Sequence, residues 1–239
     1  MYSRLKLSAR LALNGSYLKI LPLITLIIFV VFIFSVINFV VNGIVDIKYF
    51  PAVFASVSLL VYLIIISPVR LRIEIRHFML ARGMKNIKVK TQFVKSLVFY
   101  PIVFCLKMFW FAVFEAVPLS CAMFLHFYLS EKSLSAKATV TFIVCIAVLA
   151  VVGLGFYLVF VQRYSESEFY LASYEDFTAL DAIRESVRKT RGNLCGILFF
   201  KLGFIPWFLL CAGIAPMLFV IPYYKQSLTL YFINRTRCS

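Results

Sequence analysis

The chain has 239 residues, 63% of them hydrophobic and only 15% charged, with a formal net charge of +15. A soluble domain of this length covers its core with far more charge, so the composition excludes an ordinary soluble globule and points to helices in lipid. The positive balance does not imply nucleic acid, because the lysines and arginines gather on one side of the membrane once spans are drawn.

A bilayer core of about 30 Å needs about 20 helical residues. The chain starts with a short basic helix, Arg4–Leu13, that stops at Asn14-Gly15. The apolar run Ile20–Val41 follows. It is longer than a signal peptide's apolar region and no small-residue cleavage site follows it, so it is expected to stay as the first span. Phe50–Ser67 is the second span. Ser67 as an N-cap and Pro68 at the first helical position then open a basic helix. Its Leu71, Ile75, Phe78 and Met79 recur at helical spacing, Arg72, Arg76 and Arg82 take other faces, and Gly83 closes it. No apolar partner for that stripe is evident, so the helix is expected to lie flat on the membrane.

Leu97–Leu119 is the third span, ending near Pro118 and followed by an aromatic-rich interfacial segment to Leu129. Val140–Val161 is the fourth. Thr178 with Asp181 three residues on forms a capping box, opening a helix with the stripe Phe177, Leu180, Ile183 and Val187 that ends at Gly192. The run Leu194–Ile233 is about twice as long as one span requires. Gly213 and Pro216 at its centre read as a tight hairpin. The expected fold is therefore an all-α membrane protein, one polytopic domain over 1–239, with about six transmembrane helices: 20–41, 50–67, 97–119, 140–161, 194–211 and 215–233. Amphipathic interfacial helices lie on the cytoplasmic side. Gly15, Gly83 and Gly192 each end a basic helix that leads towards a span, which is either a weak internal repeat or the usual glycine stop.

Orientation follows from the cations. With the N-terminus inside, segments 1–19, 68–96, 162–193 and the C-terminal end hold twenty Lys and Arg, against Lys48, Lys132 and Lys137 outside. Both termini are expected in the cytoplasm.

No catalytic motif appears. Six cysteines (Cys105, Cys121, Cys145, Cys195, Cys211, Cys238) form no C-x-x-C pair, and His77 and His126 fall on opposite sides of the membrane. Metal, cofactor and catalytic sites are expected to be absent, and the protein is not expected to be an enzyme. Charges inside spans mark functional sites by default. Lys107, Glu115 and Lys201 are such charges, read either as an intramembrane polar site or as structural pairing and snorkelling. Aromatic residues cluster near span ends, as at a membrane interface.

The C-terminal third carries a recognisable order of motifs: Ala182-Ile183-Arg184-Glu185-Ser186, Arg191-Gly192-Asn193, Leu202-Gly203-Phe204-Ile205-Pro206-Trp207 and Ile221-Pro222-Tyr223-Tyr224. Over about 163–232 the chain resembles an integral membrane family of bacteria, domain of unknown function 975, with Ser186, Gly192, Phe204, Trp207, Pro222 and Tyr223 as the family-like positions. Gly203 stands where the family usually has serine and Pro206 where it has glycine. Gly153 and Gly155 lie roughly where a Pro-Gly-Ile often occurs. The resemblance implies a helical fold in the bacterial cytoplasmic membrane and transfers no activity.

The function expected from these residues is association with lipids or other membrane proteins, including a second copy of the chain. Arg70, Arg72, Arg76 and Arg82 would contact anionic headgroups, and no nucleic acid is involved. The alternative is a small transporter or channel using the intramembrane Lys and Glu.

Overall fold

The computed structural model describes residues 2–14, 16–44, 50–84, 92–131, 136–209 and 214–238. Among them every regular element is helical. The helices are α1 (Tyr2–Leu13), α2 (Tyr17–Ile44), α3 (Phe50–Val61), α4 (Ser67–Ala81), α5 (Phe93–Glu131), α6 (Ala136–Val161), α7 (Ser167–Ser173), α8 (Ala179–Thr190), α9 (Leu194–Leu202), α10 (Ile205–Leu209) and α11 (Ile214–Cys238).

Among the described residues four helical stretches are long and apolar enough to cross a bilayer: α2, α3 running into α4, α5 and α6. A fifth is reached only by joining α8 to α9–α10, which meet at a 94° bend. The six separate spans expected from hydropathy are thus not all present as straight membrane-length helices. The run 194–211 breaks at Gly203-Phe204 into helices of 9 and 5 residues. The chain does double back after it. Phe200 stacks on Tyr231 with centroids 4.5 Å apart, and Phe204 and Phe208 meet Tyr224, so α9–α10 runs antiparallel to α11. The expected turn at Gly213 lies outside the described residues, as do Gly15 and Lys48.

Ser67 is not an N-cap. It is helical at φ −63° and ψ −46°, and α3 continues into α4 through a π-turn over Tyr62–Ile66. Proline explains the turn. Pro68 has no N–H to give the Ile64 carbonyl, and its ring would clash there, so the helix widens by one residue. The Ser67 N–H reaches back five residues to Tyr62 O, and its hydroxyl donates to Leu63 O at 2.6 Å. The expected break near Pro118 is also absent. α5 runs for 39 residues, about 58 Å, past both Pro101 and Pro118.

Two zones differ along these helices. In a shaft built from most of α2, α3, the later part of α5 and most of α6, large apolar side chains stand exposed, such as Phe39, Leu60, Phe109 and Val151. In the other zone, here called the head, a core of Leu71, Ile75, Phe78, Phe99, Tyr100, Phe169, Leu171, Ile183, Phe200, Phe204 and Phe232 is closed to the outside. The stripe on α4 therefore has partners, and it is buried in protein. Cross-helix contacts place the change-over points side by side: Ile24 clusters with Ile73, Arg70 lies 5.2 Å from the Tyr100 ring, and Trp110 Nε1 donates to Tyr164 OH at 2.8 Å.

The predicted capping box of α8 is present, Thr178 Oγ1 accepting from the Asp181 N–H at 3.3 Å. Leu180 is exposed, and the buried face is instead Ala179, Ala182, Ile183, Ser186 and Thr190. Gly83 and Gly192 stop their helices at φ +77° and +80°, where a side chain would be strained.

Candidate functional site

The head holds a network of charges whose members come from distant parts of the sequence. On α4, Arg70, Glu74 and His77 sit at i, i+4 and i+7, one face of a helix. That face meets α7 and α11. Lys225 of α11 donates to Glu74 and, at 3.2 Å, to Glu168 of α7. Arg70 pairs with the same Glu168 and also reaches Tyr62 OH at 3.5 Å. Glu168 is therefore the shared acceptor of two cations. Burying charge costs several kcal/mol per ion, and the carboxylate of Glu168, shared by Arg70 and Lys225, offsets part of that cost for both cations.

A second pair extends the network along α11. Arg235 donates to Glu166 at 2.7 Å, and Tyr170 OH adds a 3.3 Å bond to the same carboxylate. Between the two pairs, His77 Nδ1 and Gln226 Oε1 are 2.7 Å apart, both side chains fully buried. Their other nitrogens, His77 Nε2 and Gln226 Nε2, are buried without a protein partner. On the rim of the head, Asp181 is held below its usual carboxylate range, first by the Thr178 hydroxyl and then by the Thr178 backbone N–H.

Of the intramembrane charges singled out by sequence, Lys201 Nζ donates to Gln162 Oε1 at 2.7 Å, and no salt bridge joins Lys107, Glu115 or Lys201 among the described residues. Glu115 lies eight residues beyond Lys107 along α5, buried against Gly153 of α6. That contact has a proline origin. Pro118 cannot donate to the Phe114 carbonyl, and a Cβ on Gly153 would stand 2.8 Å from that oxygen. A side chain there would block the approach.

The four arginines read as headgroup contacts are placed individually. Arg70 turns inward to Glu168, Arg76 donates to the Lys19 carbonyl, Arg82 lies over the Phe78 ring at 4.4 Å, and Arg72 is half-buried. The family-like positions gather in the head. Ser186 Oγ donates to Arg163 O at 2.6 Å and ties α8 to the end of α6. Phe204 is fully buried with Lys6 Nζ 4.3 Å from its ring centroid, and Trp207 meets Tyr223. Pro222 leaves the Leu218 carbonyl without its helical donor, and Tyr17 OH donates to that carbonyl instead. These positions carry the packing of α1, α2, α8, α9 and α11 on one another.

The match with a known family now has a structural reading. A family model described as "Protein of unknown function (DUF975)" covers residues 1–237. The chain belongs to this family. The membership extends well beyond the 163–232 region that carried the resemblance, so α1 to α6 are part of the DUF975 unit. No curated protein and no solved structure matches the chain. Sequence reasoning missed Glu74, Glu166, Glu168, Lys225, Gln226 and Arg235. The available signals were the i, i+4, i+7 polar face on α4 and the Lys225-Gln226 step within an otherwise apolar run.

Proposed function

We propose that this chain is a multi-pass protein of the bacterial cytoplasmic membrane that acts by association with anionic lipid, and through it with other membrane proteins, rather than by catalysis. The observation that carries this reading is the pairing of an apolar exposed shaft with a head whose outer face exposes Arg4, Arg10, Arg82, Arg184 and Arg191. Each cation near anionic lipid contributes about 1 kcal/mol. α1 adds exposed Leu7 and Leu11 beside those charges, a combination suited to a headgroup boundary. In this reading the head is cytoplasmic and both termini lie inside. Four full crossings preserve that parity, with α9–α10 and α11 as a hairpin that enters the bilayer from the cytoplasmic side and returns. Reporter fusions after Arg82 and Thr190 would read cytoplasmic and fusions near Glu131 external; an external reading at Arg82 would overturn the topology.

The functional test is hydrogen exchange on protein reconstituted in zwitterionic or anionic vesicles. Protection of α1 and α8 should rise with anionic lipid and fall with salt. Indifference to both would sink the reading. A transport role has one specific support, the carboxyl of Glu115 buried in the shaft. Glu115→Gln would abolish a flux and leave lipid association intact.

A further inference from the structure

We propose that the cleft between α2 and α3 binds a neutral membrane quinone, with Ser58 and Tyr62 as hydrogen-bond donors to its carbonyl oxygens. The cleft is a cavity of about 280 Å³ whose walls include Phe34, Ser35 and Asn38 of α2 and Phe54, Ser58 and Tyr62 on the α3 side. Both helices belong to membrane-length stretches, and the site rests on the reading that they cross a bilayer. Hydroxyls inside helices commonly return their proton to the carbonyl one turn back. Thr25 donates to Leu21 O at 3.0 Å, Ser35 to Val31 O at 2.9 Å and Ser67 to Leu63 O at 2.6 Å. Ser58 departs from this pattern: its Oγ is buried, it lines the cavity, and it has no protein partner. A hydroxyl left unmet away from water costs free energy, which a ligand acceptor recovers.

Tyr62 supplies the second donor. It opens the π-turn over Tyr62–Ile66, and such turns within helices recur at functional sites. Its carbonyl accepts the Ser67 N–H and its hydroxyl accepts from Arg70 Nη1 at 3.5 Å, which leaves the hydroxyl proton for a ligand. Ser58 and Tyr62 are four residues apart and so neighbours on one helical face. Phe34 of α2 and Phe54 of α3 meet with ring centroids 6.0 Å apart. No charged side chain lines the cavity, which disfavours a phosphate or an ammonium headgroup. The fitting ligand is therefore uncharged, accepts hydrogen bonds at two points and offers a flat surface to aromatic rings. A quinone combines these properties, with two carbonyl oxygens on one planar ring. Sites for whole drug-sized molecules span about 300–1,000 Å³, so this smaller cavity takes the ring. The isoprenoid tail then lies on the exposed apolar surface of the shaft, where Phe39 and Leu60 stand.

The test is native mass spectrometry and thermal unfolding of the full chain in a neutral detergent. The probes are a naphthoquinone with a short isoprenoid tail, the matching naphthalene without carbonyls, and diacylglycerol. One naphthoquinone per chain should bind and raise Tm, and the naphthalene should bind at least about ten-fold more weakly. Ser58→Ala and Tyr62→Phe should each weaken naphthoquinone binding about ten-fold, and Leu60→Ala, outside the cavity wall, should leave it unchanged. Without ligand, Ser58→Ala should keep or raise Tm, because it deletes a buried hydroxyl that bonds to nothing. That combination, a fold no less stable with a weaker ligand shift, is one that a purely structural serine does not give. Equal binding of naphthoquinone and naphthalene, or full binding by both Ser58→Ala and Tyr62→Phe, overturns the site. Diacylglycerol binding as tightly as the naphthoquinone overturns the choice of a quinone, since ester carbonyls then suffice. If Tyr62→Phe departs from the wild-type helical circular dichroism, Ser58→Ala decides alone. Anionic lipid is absent throughout, so failure here leaves the lipid association of the head standing, and an external reporter reading at Arg82 breaks the membrane topology without touching this result.

Discussion

The head and the shaft of this protein are held by different forces. In the head, apolar side chains are closed off and charges are paired across helices, as in a soluble core with an ionic network inside it. In the shaft, apolar side chains stay exposed, and helices meet through ring pairs such as Phe114–Phe156 and through close backbone approach where Gly153 meets the Phe114 carbonyl. Lipid tails are as apolar as leucine, so there is no hydrophobic drive between shaft helices, and small residues must let dispersion act at short range. In the head the drive exists, and charge pairing then fixes which helices meet. The lesson is that one chain uses two packing codes, and the change between them falls where α4, α5 and α6 pass from exposed to buried.

The comparison is broken most directly at Glu168. Glu168→Gln leaves Arg70 and Lys225 without their shared carboxylate, and removing one partner of a buried ionic group costs about 3–5 kcal/mol. Thermal unfolding in detergent, followed by Trp fluorescence, should show the largest fall in Tm of any change considered. Phe39→Ala on the exposed shaft should leave Tm nearly unchanged, and a large fall there would mean that the shaft has a protein core after all. Within the shaft, Gly153→Ala should lower stability by about 1–3 kcal/mol, because the new Cβ meets a backbone carbonyl. Gly155→Ala is the control, having nothing within 4 Å, and should be neutral to slightly stabilising. Equal effects at the two glycines would refute the close-approach account.

How much of this was legible beforehand follows from which interactions are local. Helix stops at Gly83 and Gly192 and the cap at Thr178 are set by residues within one turn, and they read correctly from sequence. The apolar runs pointed to membrane-length helices because hydropathy is a property of each run by itself. Ser67-Pro68 misled, because a serine before proline signals a helix start in water, whereas here flanking apolar turns carry the helix through as a π-turn. The ionic network was not legible. Glu74 and Lys225 are 151 residues apart, and Glu168 and Lys225 are 57 apart, so no local pattern joins them. A flat resting place for α4 followed from not knowing its partners; Phe99 and Phe169 supply them.

A sharper test of the head is Ser186→Ala. The hydroxyl is fully buried and donates to the Arg163 carbonyl, so its loss leaves that oxygen only the longer 3.5 Å contact from Thr190 Oγ1 and should cost about 1 kcal/mol. Ser186→Cys, with a weaker donor, should fall between the two. If Ser186→Ala is neutral, α8 is held by Ala182 and Ile183 packing alone, and the family-like serine has no structural role in fixing it.

The smallest expected effect concerns the exposed end of α8 and is read by pH. Asp181 accepts from both the Thr178 hydroxyl, at 2.6 Å, and the Thr178 backbone N–H, at 3.2 Å. Its folded value is therefore depressed, chiefly by that hydroxyl. A depressed carboxyl stabilises the fold above its unfolded value, near 3.9, and the contribution disappears as pH falls through the folded value. The Tm of the wild type should thus decline on acidification below about pH 4 by more than that of Asp181→Asn, whose cap carries no titrating group. Thr178→Val should remove most of the difference as well, because it deletes the hydroxyl that lowers Asp181 while keeping the side-chain shape. The buried carboxylates also titrate in acid, so the informative quantity is the difference between wild type and Asp181→Asn. Parallel pH profiles for the two would show that the capping box adds nothing to the stability of the folded chain.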